Sequence, residues 1–177
     1  MWIFKDYRLL TKSENIELLK IRNDKFVREA SNDSSVISYE DHMKWIMDLD
    51  DKKRYMALFI DDSVVGGLNY QAEDSNIKNW GIFFDKNLPP LISLVATYLF
   101  IEHMFEKYDV LYSEVLKDNE KALRFNQYFG VRKIGEKESS YRLELTKNEW
   151  EKHKKSFQAL EKRVKSIKYR FECQEGE

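Results

Sequence analysis

The sequence predicts a single α/β layer domain: a mixed, mostly antiparallel twisted sheet flanked by helices, with a helical extension at its C-terminal end. Three observations lead there. Two strand-like runs, 54–60 (RYMALFI) and 64–70 (VVGGLNY), flank a turn at Asp61-Asp62-Ser63, which reads as a hairpin. Further on, a strand, a long apolar helix (about 91–107) and an alternating run (109–116) follow in order. That is a βαβ unit, whose two strands run parallel. Finally, 177 residues with 42% apolar side chains suit one domain with a real core better than two.

The elements can be justified in turn. Residues 2–10 alternate as a first strand. Ser13 opens a helix whose apolar positions, Ile16 and Leu19 among them, recur at helical spacing up to Arg22-Asn23. Ser38, with Asp41 three residues on, caps a second helix bearing Met43, Ile46, Met47 and Leu49. After the hairpin, a polar loop (AEDSN) leads to a strand from about Ile77 to Phe84. Pro89-Pro90 precede the long helix, and proline is well tolerated in a first helical turn. Asp118 caps a short helix ending near Gly130, which suits a left-handed helix end. Two short strands follow, about 131–137 and 140–145. Thr146 with Glu149 is a capping-box pattern, and it opens a last helix over 147–170. There Trp150, His153, Phe157, Leu160, Val164 and Ile167 recur at spacings of three and four. Between Lys152 and Arg170 stand eight basic residues and one acidic, Glu161. Such a stripe calls for burial against its own domain or against a second copy as a homodimer, and not for a nucleic-acid arm. The organisation is thus a domain over 1–146 and a basic amphipathic helix and tail over 147–177.

Composition narrows the function classes. The formal net charge of −1 provides no overall field toward nucleic acid or membrane. No uncharged apolar window of about 18 residues exists, so no membrane span is expected. The N-terminal stretch MWIFKDYRLL lacks a signal-peptide pattern, and a cytoplasmic protein is expected. Cys173, the single cysteine, cannot form an intrachain disulfide, and His42, His103 and His153 are scattered, so no metal site is expected.

Three local patterns carry chemistry. Residues 18–46, LLKIRNDKFVREASNDSSVISYEDHMKWI, hold an Arg22-Asn23 pair at a helix end and a later His42-x-x-Trp45. Residues 64–70 hold Gly66-Gly67 on a strand. Residues 115–136, VLKDNEKALRFNQYFGVRKIGE, hold Asn119, Ala122, Phe129 and Gly130 in a fixed register. With the element order, these patterns resemble the GNAT-superfamily N-acetyltransferases over roughly residues 1–146. Within that superfamily they are similar to the enzymes acting on nucleotide-linked amino sugars, such as those of the pseudaminic-acid pathway, and to the ribosomal-protein N-terminal acetyltransferases.

The resemblance implies acetyl-CoA as co-substrate, no metal, and a small-molecule amine as acceptor. It implies that the fourth and fifth strands splay, exposing backbone groups to the pantetheine arm near Phe83 and Phe84. The amides of Leu91, Ile92, Ser93 and Leu94 would face the pyrophosphate, because a helix start offers free N–H groups and a positive dipole end. Asn119, Phe125 and Asn126 would complete the cofactor site; Asn119 is equally an ordinary helix-capping type. Arg22, Asn23, Tyr39, Trp45, Tyr70 and Trp80 would line the acceptor site, aromatic faces suiting sugar and uracil rings. Glu114 and His42 are the candidate bases for stripping the amine of its proton, each with a plain structural reading beside it: a salt-bridged Glu and a packed His. Direct transfer in a ternary complex follows, with Cys173 stranded in the tail. The chain departs from the family twice. The loop Asp85–Ser93 has no glycine and two prolines, each lacking an N–H, although Lys86 offers a point charge. Asn126 stands where many members have a tyrosine that protonates the leaving thiolate. A peptide N-terminal acetyltransferase, or a binding module that kept the fold and lost catalysis, are the alternatives.

Overall fold

A computed structural model describes residues 1–31 and 33–174. Asn32 and the last three residues of the expected tail lie outside the described residues. The elements are β1 (Trp2–Asp6), α1 (Lys12–Arg22), α2 (Lys25–Glu29), α3 (Tyr39–Met47), β2 (Lys53–Ile60), β3 (Ser63–Glu73), β4 (Asn76–Phe84), α4 (Pro90–Phe105), β5 (Val110–Leu116), α5 (Glu120–Tyr128), β6 (Arg132–Glu136), β7 (Ser140–Thr146), α6 (Lys147–His153), α7 (Gln158–Lys165) and β8 (Tyr169–Glu172). The strands hydrogen-bond in the order β6-β7-β5-β4-β3-β2-β1-β8. Neighbours β1–β2, β5–β7 and β6–β7 are antiparallel, and β4–β5 and β1–β8 are parallel. The chain divides into two compact units. Unit one is Met1–Asn69, Ile82–Ser93 and the chain from Ile167 on; unit two is Tyr70–Gly81 and Leu94–Ser166.

In unit one, β1 and β2 pair from Trp2↔Ile60 to Asp6↔Met56. The turn after β2 has positive φ at Asp61 (47°) and Asp62 (66°), the backbone of a type I′ hairpin turn. α1 opens one residue earlier than Ser13 suggested, because Thr11 and Glu14 form a complete capping box. The first strand stops at Asp6, not Leu10, because Asp6 caps a turn of 3₁₀ helix over Tyr7–Leu9. Asp6 is 1% exposed and accepts two hydrogen bonds from the Arg8 guanidinium and one from Arg54. Burial pushes its carboxyl up, but the bonds and charge of Arg8 and the bond from Arg54 outweigh that and hold it below the ordinary carboxylate range.

In unit two, β7 pairs with β5 along its whole length, Val110↔Thr146 to Leu116↔Ser140. The β4–β5 ladder is much shorter: within this unit it consists of Asn76↔Val110 and Ile77↔Leu111 and stops there. The hairpin between β3 and β4 turns over two residues, with Asp74 at φ 55°, so the polar loop expected over AEDSN is mostly strand. Asn119 caps α5 in place of the expected Asp118, because its Oδ1 accepts from the Ala122 N–H, and Gly130 just beyond the helix end has φ 82°, the left-handed conformation expected there.

The C-terminal region departs most from expectation. One helix was expected over 147–170; instead α6, a 3₁₀ turn (Lys154–Ser156) and α7 follow one another, and Tyr169–Glu172 form β8. Packing within unit two draws Phe157 inward against Tyr128 and Trp150, with ring centroids 5.0 and 6.2 Å apart, and the helix breaks there. In unit one the open edge of β1 takes the alternating Tyr169 and Phe171 as a parallel strand, with Phe171 stacked on Phe4 at 4.4 Å. The apolar stripe is thus buried largely within its own unit: Trp150 is 0%, Phe157 7% and Leu160 5% exposed. The Trp150 indole donates to Glu102 of α4, and His153 donates from Nε2 to the Tyr128 carbonyl at 2.9 Å.

Trp150→Ala should therefore destabilise the protein by about 3–5 kcal/mol, read as a lower urea midpoint. An unchanged midpoint would refute the seating of the extension in unit two.

Candidate functional site

Glycine makes the centre of the unit-one site. A Cβ at Gly67 would fall 2.4 Å from the Tyr7 hydroxyl and 2.6 Å from the Phe83 ring, and one at Gly66 would fall 2.4 Å from the Phe83 carbonyl oxygen. The pair on β3 therefore exists so that Tyr7 and the end of β4 can close over it. Tyr7 is buried, and around its ring lie His42 (6.0 Å), Trp45 (6.3 Å) and Tyr55 (5.8 Å). Trp45 stands edge-on to Tyr55 at 4.5 Å and is 38% exposed, so this aromatic group has an open side. Burial and the neighbouring Tyr55 raise the Tyr7 pKa against a smaller lowering by Arg22, so the phenol stays neutral. Tyr7 was missed from the sequence because the run to Leu10 reads as continuous strand.

The other expected acceptor residues separate by role. Asn23 clamps the chain before α3, donating from Nδ2 to the Ile37 carbonyl (2.8 Å) and accepting from the Ile37 N–H (2.9 Å). Arg22 donates from Nη2 to the Asp33 carbonyl at 3.3 Å, while its Nη1 is buried without a partner. Tyr39 lies apart from the aromatic group, under the Lys12 ammonium at 5.9 Å. Tyr70 and Trp80 belong to unit two, where Tyr70 packs on Phe100 and Tyr108 and the Trp80 indole N–H is buried without a partner.

The two candidate bases differ sharply. Glu114 on β5 accepts from Lys137 Nζ and from Ser140 Oγ, each at 2.6 Å. Those bonds, Lys137 first, hold its pKa below the ordinary value, which makes it a weak base. His42 is 5% exposed, its pKa is lowered by burial, and its Nε2 lies 3.1 Å from Asn15 Oδ1. It is neutral at neutral pH.

At the start of α4, the Ile92 N–H already bonds the Pro89 carbonyl at 2.9 Å, and Lys86 pairs with Asp24 at 2.9 Å. In unit two, Asn119 Oδ1 accepts from the Ala122 N–H at 3.0 Å as an N-cap. Asn126 donates from Nδ2 to the Ala122 carbonyl at 2.9 Å, which leaves its Oδ1 buried without a partner. Phe125 packs on Phe129 at 5.3 Å. Ser113 on β5 is also buried with a partnerless hydroxyl, a group the sequence did not single out. A buried polar group left unpaired costs about 1–3 kcal/mol, so such atoms mark places where a ligand can contribute the missing bond. Below Ile77 and Leu111 the facing edges of β4 and β5 in unit two carry backbone groups outside their mutual ladder. These features fit an extended ligand rich in amides.

No family model matches the chain. It is 28% identical over 120 residues to the acetyltransferase PseH of Campylobacter jejuni subsp. jejuni serotype O:23/36 (strain 81-176), covering 65% of this chain and 75% of the relative. The crystal structure of Campylobacter jejuni N-acetyltransferase PseH in complex with acetyl coenzyme A aligns with a TM-score of 0.69 at 22% identity, over 83% of this chain and 99% of that one. The fold is that of the GNAT acetyltransferases. Apo FdhC, a nucleotide-linked sugar GNAT, aligns with the same TM-score of 0.69 at 18% identity, over 84% of this chain and 90% of that one. The resemblance to the pseudaminic-acid pathway enzymes, read from Arg22-Asn23, His42 and the stretch around Asn119, is thus matched in sequence and in fold.

Two outcomes test the unit-one geometry. Gly67→Ala should cost about 1–3 kcal/mol in urea unfolding, and adding Tyr7→Phe should restore part of it by removing the hydroxyl from the collision. Because burial depresses the folded pKa of His42 below 6.5, the unfolded chain takes up this proton first as pH falls. The associated stability is present above about pH 6.5 and is lost as pH falls through the folded pKa. His42→Gln should therefore flatten the fall in stability between about pH 7 and pH 5; an identical slope would refute the buried, neutral state.

Proposed function

We propose that this chain is an acetyl-CoA-dependent N-acetyltransferase whose acceptor is the amine of a nucleotide-linked amino sugar, acetylated by direct transfer. The observation that carries the reading is the sequence likeness to the acetyltransferase PseH over 120 residues, supported by the fold. Acetyl-CoA supplies an activated acetyl group as a thioester; everything else falls to the chain. In unit two, the unladdered edge of β4 together with Asn119, Phe125 and Asn126 would hold the pantetheine arm. At the α4 start, the helix end at Leu91–Leu94 favours phosphate even though the Gly-free loop offers fewer free amides. Phe83 and Phe84, at the end of β4, supply apolar contact.

On the acceptor side, in unit one, Trp45 offers an open aromatic face and Arg22 an unspent guanidinium N–H, a suitable donor for a phosphate oxygen. An alkyl ammonium has a pKa above 7, so a base must take a proton before nitrogen can attack. Neutral His42 suits that task better than Glu114, whose charge is committed to Lys137. Holding both substrates together supplies much of the remaining acceleration. Asn126 cannot deliver a proton to sulfur, which a thiolate, being a good leaving group, tolerates.

Calorimetric titration with acetyl-CoA should show saturable binding; no heat and no thermal shift at about 1 mM ligand would sink the reading. Thiol release should follow addition of a UDP-linked amino sugar. Turnover with peptides and with no amino sugar would replace the acceptor by a protein N-terminus, and binding without any turnover would point to a module that has lost catalysis.

A further inference from the structure

Asn15 and His42 form a buried polar pair in unit one, at 1% and 5% exposure. Asn15 Nδ2 donates to two backbone carbonyls, Leu10 O at 3.3 Å and Thr11 O at 3.1 Å. Those bonds decide which end of the amide faces His42, because the flipped amide would set Oδ1 against two other oxygens. Oδ1 therefore lies toward His42 Nε2, at 3.1 Å, and an amide oxygen only accepts. The hydrogen must sit on Nε2. A neutral imidazole has one N–H, so Nδ1 keeps a bare lone pair. Among the described residues none hydrogen-bonds Nδ1, so its lone pair is unspent within the protein, on a ring stacked 6.1 Å from that of the part-exposed Trp45.

We propose that Asn15 is a positioning residue that holds His42 in the Nε2–H tautomer, so that Nδ1 is the hydrogen-bond acceptor for an N–H or O–H group of the acceptor substrate. This rests on the acetyltransferase reading. It also sets a specificity rule: an ammonium, hydroxyl or imide N–H fits against Nδ1, whereas a phosphate or carboxylate oxygen meets it lone pair to lone pair. The ring neighbours do not change that rule. Tyr7 and Tyr55 have pKa values raised by burial and stay neutral, Trp45 carries no charge, and the charge of Arg22 acts on Tyr7. Burial lowers the pKa of the imidazole itself, which keeps it in the single-hydrogen form at neutral pH.

Long-range proton–nitrogen NMR of the full chain, labelled at histidine nitrogen, reads the tautomer directly, with the His42 signals assigned by their loss in His42→Gln. The expected spectrum has a protonated Nε2 and a bare Nδ1, and titration with a UDP-linked amino sugar shifts the Nδ1 resonance. Asn15→Leu should give mixed tautomers and raise the KM for that sugar about fivefold with acetyl-CoA affinity unchanged. Asn15→Leu also removes two structural bonds, so a second pair of variants isolates the acceptor role. His42→Asn places an amide oxygen near the Nδ1 position and should bind the sugar more tightly than His42→Gln, which has no acceptor there. A hydrogen on Nδ1 in the parent protein, an Nδ1 resonance unmoved by saturating sugar, or equal sugar affinity in the two His42 variants would overturn the proposal. Failure of the parent protein to bind acetyl-CoA would instead overturn the acetyltransferase reading and leave the tautomer result standing.

Discussion

A missing side chain is what the arrangement of unit one depends on. With only hydrogen at Gly67, the Tyr7 hydroxyl and the Phe83 ring occupy the volume that any Cβ would need. Interiors are packed to crystal density, so this space cannot be found elsewhere without moving a strand or a ring. From the seat of Tyr7 the rest follows. Its ring meets those of His42, Trp45 and Tyr55, and with Leu18, Ile46, Ala57 and Phe59 it makes one buried cluster. β3 supplies the gap, the turn after β1 supplies the phenol, and α3 is held at a distance that leaves Trp45 part exposed.

Polar groups follow two regimes. Where they hold the fold, they are fully engaged: Asp6 is met by two guanidinium groups, Asn23 bridges both backbone groups of Ile37, and Asn15 uses both ends of its amide. Among the described residues, the buried side-chain atoms without partners are Arg22 Nη1, Trp80 Nε1, Ser113 Oγ and Asn126 Oδ1. Three of these four belong to residues that the family likeness places at the ligand sites. Local satisfaction is kept where the fold alone must stand and is left open at these four atoms.

The C-terminal extension has a job within unit two. At the end of α5, His153 Nε2 donates to the Tyr128 carbonyl while its ring packs on the hydrogen face of Gly130. Trp150 anchors the same segment to α4 through Glu102, which Lys154 also approaches at 3.2 Å. α5 has no fully buried residue within its own span, so its position rests on its cap, on Phe129 and Gly130 beyond it, and on this extension. That helix carries Phe125 and Asn126, so the extension supports the cofactor side of the proposed chemistry.

The sequence by itself determined the elements that local chemistry specifies. Capping residues announced α3 and α6 and, within one residue, α5; the turn at Asp61-Asp62-Ser63 announced the β2–β3 hairpin, alternation announced β5, and the strand–helix–strand order announced a parallel β4–β5 pair. Side-chain types in register, from Arg22-Asn23 to Gly130, were enough to point to the fold family. Only the tertiary structure decided what depends on partners distant in the chain. It broke the long terminal helix at Phe157 and turned Tyr169–Glu172 into a strand, because packing on Tyr128 and Trp150 and the open edge of β1 outweighed a helical apolar period. It committed Glu114 to Lys137 and Ser140, gave Asn23 to Ile37, and left Asn126 with an unspent oxygen. It brought Tyr7 to Gly67, which lies sixty residues further along the chain. Periodicity reports which face of an element is buried, and the partner that buries it is a property of the folded chain alone.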